Sequence, residues 1–226
     1  MPFVVGAGDL SGVTEEINLN SIPLKFPGTE FRIPNELGCV RELLQTCASF
    51  EQKVNPHVDG YYAYLSLQRS YVEAGEHQGS GGLHSDEIQG RRVQPKEPII
   101  QVFVATDGDP TEYFPQSFSM QGVNPDIHLM DDVFDSQVDE ESHMVRFNPG
   151  DIVYFDPYCV HRPPRVINPG YRTVFKFRYT PRQYDRAGNT INALFTDEYE
   201  KEGWEFGDRS KPTDFVEIPH ILAPNS

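Results

Sequence analysis

The chain has 226 residues, 38% hydrophobic and 23% charged, an ordinary composition for a globular protein with one sizeable core. Thirty-four acidic against nineteen basic residues give a formal net charge of −15, which disfavours a nucleic-acid partner gripped through its phosphates. No apolar run nears the length of a membrane span, the opening "MPFVVGAGDLSG" lacks a signal-peptide pattern, and three cysteines without CxxC spacing read as free thiols, so the expected location is the cytoplasm.

Nineteen Pro, eighteen Gly, 15 Phe and 11 Tyr favour β-structure broken by frequent turns. Residues 1–34 read as short strands and turns. A helix is expected over about 35–53, with Asn35 as N-cap and Leu37, Val40, Leu43, Leu44, Cys47 and Phe50 on one face. Strand-like runs follow at 61–72 ("YYAYLSLQRSYV"), 83–88 ("LHSDEI") and 98–110 ("PIIQVFVATDGDP"). "MVRFNPGDIVYFDP" (144–157) reads as strand, Asn-Pro-Gly turn, strand, and "VINPGYRTVFKFRYTP" (166–181) repeats that arrangement. Between them, residues 124–143 carry Asp131, Asp132, Asp135, Asp139, Glu140 and Glu141 and read as a solvated surface loop, with a lid as the functional alternative. The acidic extension 184–226 holds a short helix around 190–202. Many short antiparallel strands in a single domain, 1–226, suggest a sandwich or barrel.

Two stretches offer an imidazole and a carboxylate at strand spacing, His57–Asp59 and His84–Asp86. On a strand, residues i and i+2 share a face, so either pair could ligate one metal ion. A facial triad needs a third ligand from a distant strand, and His161 in "CVHRPP" is the best of the seven histidines. Arg172 lies eleven residues further on, at the start of "RTVFKFRY"; a hairpin would put it beside the His161 strand, where it could hold a dicarboxylate. Lys176 and Arg178 alternate in step with Arg172, with Phe175, Phe177 and Tyr179 on the opposite, packed face.

The "HSD", the distal "VHRP" and the Arg after it resemble the iron(II)- and 2-oxoglutarate-dependent dioxygenases, and "Y-x-x-x-G" in "SYVEAGE" resembles their prolyl-hydroxylase-like branch. The resemblance covers about residues 58–180. It implies a mainly β double-stranded β-helix (a jelly-roll or cupin-like barrel) with a few flanking helices. It also implies Fe(II) on His84, Asp86 and His161, 2-oxoglutarate paired through its far carboxylate to Arg172, and O2 as oxidant. The outcome it implies is hydroxylation with release of succinate and CO2. The branch often has a small hydroxyl residue two positions after the Arg; here that position is Val174, which leaves Thr111, Tyr113 and Tyr71 as candidate hydroxyl partners.

Within that frame the metal pair is His84–Asp86. The long strand 61–72 precedes it, the strong strand 98–106 follows it, and "PHVDG" is flanked by turn residues. His77, His128 and His143 read as loop or solvated residues, Cys159 as a small buried hydrophobe, and Arg91 and Arg92 as an exposed pair or an anion contact. The expected primary substrate is a small molecule, with a protein side chain or a nucleotide as alternatives. The rival readings are a cupin-type metal enzyme working without 2-oxoglutarate and a silent barrel acting as a binding module.

Overall fold

The computed structural model describes residues 1–79, 81–86, 101–124, 128–181, 183–184 and 188–204. Its centre is the pairing of two eleven-residue strands, β3 (Tyr62–Val72) and β8 (Gly170–Thr180), antiparallel and in unbroken register from Tyr62↔Thr180 to Val72↔Gly170. Strands β1 (Phe3–Ala7), β2 (Ile17–Lys25), β4 (Gln101–Thr106) and β6 (Asp151–Phe155) complete a six-stranded sheet in the order β1-β6-β4-β8-β3-β2. All six residues of β4 are buried, as expected of a strand paired on both edges and covered on both faces.

Alternation sorts the side chains of this sheet. One face carries Phe103, Phe175, Phe177 and Tyr179, packed against Leu43, Leu44 and Cys47 of helix α1 (Arg41–Val54) and against Leu37 and Val40 ahead of it. Each such aromatic contributes about 1.5–3 kcal/mol through burial. The other face faces a two-stranded sheet, β5 (Glu112–Phe114) with β7 (Val160–Arg162), across Val102, Val104, Tyr113, Val153, Phe155 and Cys159. Bridges His84↔His161 and Tyr113↔Val145 extend the small sheet on either side.

The fold is therefore mainly β, antiparallel and two-layered, with few helices. The described residues form two facing sheets and not the closed barrel expected from the sequence. The predicted 166–181 hairpin does not form either. Residues 163–169 are loop, and the strand before β8 is β7, which belongs to the opposite sheet. Pro163 and Pro164 lack the N–H groups a ladder needs, so the chain crosses between layers there.

The predicted N-terminal helix starts as a 3-10 turn, Asn35–Val40, without a side-chain cap, and becomes α-helical only at Arg41. Gly38, a poor helix former, sits inside that first turn. The predicted C-terminal helix is α4 (Thr196–Lys201), packed through Phe195, Tyr199 and Trp204 onto Phe26, Tyr62 and Tyr64. Residues 87–88 and 98–100 of the predicted strands lie outside the described residues, as do Arg91, Arg92 and His220.

Segment 124–143 differs from the solvated loop expected of its charge. It forms α2 (Met130–Asp135) and α3 (Glu140–His143). Met130 and Phe134 are buried with Leu83, Phe114 and Val160 on the outer face of the small sheet, away from the large one. Arg162 ties the segment down electrostatically, donating to Glu140 at 2.8 Å and to the buried Glu112 at 2.6 Å.

Candidate metal centre

His84 and His161 meet because their backbones pair: the His84 N–H donates to the His161 carbonyl at 3.0 Å and the His161 N–H to the His84 carbonyl at 2.9 Å. Their rings lie 4.4 Å apart, centroid to centroid. Asp86, two residues beyond His84 and 5% exposed, completes a cluster whose candidate ligand atoms all lie within 4.8 Å of one another. Leu83 and Val160, adjacent in sequence to the two histidines, point outward into the apolar layer under α2, which fixes both strands from behind.

The atoms not aimed into the cluster are already engaged. Nδ1 of His84 lies 2.9 Å from the Gly82 carbonyl, and Nδ1 of His161 lies 2.9 Å from the Cys159 carbonyl. A carbonyl only accepts, so each Nδ1 carries the proton and each Nε2 keeps its lone pair. Burial first, and then the neighbouring His84, push the His161 pKa down to about 3, so this imidazole is neutral at physiological pH. Lys176 donates to Oδ1 of Asp86 at 2.7 Å, while Oδ2 of Asp86 is buried without a partner among the described residues. Burial acts to raise the Asp86 pKa, but Lys176, His161 and Arg178 outweigh it and hold the carboxyl well below the usual carboxylate range. Two imidazole Nε2 atoms and one carboxylate oxygen without a partner among the described residues form the donor set that suits Fe(II) or another divalent transition ion. The residues present fit the metal.

Arg172 is 4% exposed, on the same face of β8 as Lys176. Its NH1 donates to Gln78 Oε1 at 2.7 Å, and its Nε and NH2 donate to the Asp109 carbonyl at 3.1 and 2.8 Å. Of five N–H donors these bonds engage three, leaving one on each terminal nitrogen, the pair that a carboxylate takes bidentately. Burial lowers the Arg172 pKa to about 10, with Asp107 and Asp109 opposing the shift, so the guanidinium remains charged. Gln78 also donates to Ser70 Oγ and to the Arg172 carbonyl, so one loop side chain holds the arginine at both ends.

Tyr113 lies directly opposite His161 in the small sheet, its ring 6.1 Å from the imidazole. Its hydroxyl is buried, with Thr111 close enough to engage it. Burial, then Cys159, raise its pKa, and the charges of both Asp86 and Arg172 reach it. Thr111, half-buried two residues earlier, stands near enough to oppose that rise. Tyr113 is thus the hydroxyl that faces both the metal cluster and Arg172.

Tyr71 is not brought to the site. It pairs with Tyr171, one register step from the Ser70↔Arg172 pair, so it points to the opposite face and is 49% exposed. The same step explains why its nearest aromatic is Tyr171, 5.5 Å away. His57–Asp59 is not brought there either. Val58–Gly60 is a 3-10 turn in which i and i+2 share no face, and Lys25 binds its backbone, donating to the Asp59 and Tyr61 carbonyls at 2.8 and 3.2 Å. His77 reaches the Pro163 carbonyl at 3.0 Å, His128 accepts from the Asn124 N–H, and His143 is exposed at the end of α3. Cys159 is buried in the layer between the sheets, and burial pushes its thiol up to about 12.

Sequence reasoning missed Gln78, because a glutamine in a Gly-rich loop carries no signal of its own. It left Lys176 and Arg178 open, although their alternation with Arg172 held the answer.

No family model matches the chain, and no curated protein matches it. Among solved structures it is similar to a collagen prolyl hydroxylase of Paramecium bursaria Chlorella virus-1 at 13% identity, covering 66% of this chain and 72% of that one, TM-score 0.41. It is similar to a prolyl-4-hydroxylase of Pseudomonas putida at 14% identity, covering 67% and 72%, TM-score 0.40. It is also similar to an oxidoreductase of the 2OG-Fe(II) oxygenase family from Burkholderia pseudomallei at 14% identity, covering 81% and 78%, TM-score 0.41. At these values the chemistry has to be argued from the residues.

Proposed function

We propose that this chain is an iron(II)- and 2-oxoglutarate-dependent oxygenase, with its two sheets as the halves of a double-stranded β-helix. The observation that carries the reading is the triad: His84, Asp86 and His161 each engage one polar atom with the protein and leave one aimed into a common point. His84 Nε2, His161 Nε2 and Asp86 Oδ2 would hold the iron. When bound, it would supply a site for 2-oxoglutarate and O2 and the oxidising equivalents for hydroxylation, with succinate and CO2 released.

The protein's own part is binding, orientation and exclusion of water. Arg172 presents two free N–H groups to the far carboxylate of 2-oxoglutarate, and Tyr113 supplies the hydroxyl that Val174 cannot, with Thr111 beside it. Lys176 holds Asp86 by one oxygen and so leaves the other for the metal. Val102, Val104 and Phe155 keep the space between the sheets apolar, which strengthens each polar contact inside it. The buried, charged Arg172 favours this reading over a metal enzyme without a dicarboxylate cosubstrate. A small molecule is the proposed primary substrate.

Purified protein given Fe(II), 2-oxoglutarate and ascorbate should bind the metal and release succinate, slowly and uncoupled, without a primary substrate. The absence of Fe(II) binding together with no succinate release across a broad substrate panel would sink the proposal.

A further inference from the structure

Arg178 is the next inward residue of β8 after Lys176. It pairs with Val102 of β4 and Tyr64 of β3, so it stands on the face that bears the metal cluster and not on the α1 face. Its charge acts on Asp86 and on Lys176. Two residues of strand separate it from Lys176, about 7 Å. It is half-buried, with its guanidinium carbon 5.7 Å from the Tyr184 ring centroid.

Among the described residues Arg178 has no acid in ion-pair contact, whereas four other arginines do. Arg32 faces Glu198, Arg69 faces Asp107, and Arg146 and Arg162 face Glu112. Lys176 is committed to Asp86, and Arg172 to Gln78 and Asp109. Arg178 has neither a hydrogen bond nor an ion pair among the described residues. A half-buried cation next to another cation is unfavourable unless an anion joins it. Arg172 and Arg178 lie on opposite sides of Lys176 along β8, six residues apart, about 20 Å of strand. One 2-oxoglutarate held by Arg172 therefore does not reach Arg178.

Resting on the oxygenase reading above, we infer that Arg178 selects a primary substrate bearing an anionic group, a carboxylate or a phosphate monoester, held on the Lys176 side of the metal. The guanidinium offers a bidentate fork to either anion, and the half-buried Tyr184 beside it offers ring surface suited to the substrate's apolar body.

The test titrates benzoate, phenyl phosphate and neutral benzamide into the full chain loaded with Mn(II), with saturating 2-oxoglutarate present to fill the Arg172 position. At least one anion should bind about tenfold or more tightly than benzamide. Arg178→Gln should remove that preference and Arg178→Lys should keep part of it, with melting temperatures recorded to show that all three proteins are folded. The stronger arm tells carboxylate from phosphate. A wild-type protein without the preference, or a preference unchanged in folded Arg178→Gln, overturns the inference. 2-Oxoglutarate binding in the same titrations is read separately: its absence, together with no succinate release in the Fe(II) assay above, overturns the oxygenase reading and leaves the Arg178 comparison to be decided by the anions alone.

Discussion

The two faces of strand β8 differ in chemistry although their residues alternate one by one. Phe175, Phe177 and Tyr179 point toward α1 and disappear into an apolar core. Arg172, Lys176 and Arg178 point toward the small sheet, where charge is buried or half-buried beside three potential metal ligands. One face stabilises the fold, and the other places cations where only a ligand or an ion pair makes them tolerable. The difference predicts that substitutions on one face change stability and those on the other change binding.

The sharpest break of that contrast should come at the triad. His84→Ala or Asp86→Ala should abolish Fe(II) binding and succinate release, while His57→Ala, in its surface turn, should leave both intact; metal titration and succinate assays decide. On the opposite face, Phe177→Ala should lower unfolding free energy by about 3–5 kcal/mol, read from urea midpoints, with the turnover of the folded fraction unchanged.

The helix-side face holds a buried acid against its apolar rule. Glu51 of α1 is fully buried beside Asn55, with the Gln101 side chain abutting its carboxyl, and burial raises its pKa to about 7 against the opposing Asn55 bond. Because the unfolded carboxyl titrates lower, near 4.5, this group costs stability progressively as pH rises from about 4.5 to about 7, up to about 3 kcal/mol in total. Glu51→Gln should flatten that slope and stabilise the protein at pH 8, as thermal melts across pH will record. Back on the inner face, Arg172→Gln should raise KM for 2-oxoglutarate about 10–100-fold with a smaller effect on kcat. Gln78→Ala, which loosens the same guanidinium without removing it, should raise it about fivefold.

Local periodicity made much of this legible. The strand 61–72, the buried helix stripe and the two faces of β8 follow from residue spacing alone. "HSD" could be told from "HVD" because Pro56 and Gly60 mark the latter as a turn. Pairing partners were less legible. Arg172 approaches the centre from the opposite sheet and not along a hairpin with His161, because a strand's neighbour is chosen by the whole packing. Tyr71 missed the site by a single register step. The acidic segment was read by its charges, yet Met130, Val133, Phe134 and Val138 already stood at helical spacing, and those are the residues that dock it.

Each histidine of the triad is tied through Nδ1 to a carbonyl two residues before it on its own chain, Gly82 for His84 and Cys159 for His161. The tautomer is thus written into the chain trace. No side-chain exchange elsewhere can delete those two acceptors, since every residue type brings the same carbonyl. An incoming ion meets lone pairs already facing it, and its affinity is not spent on turning rings.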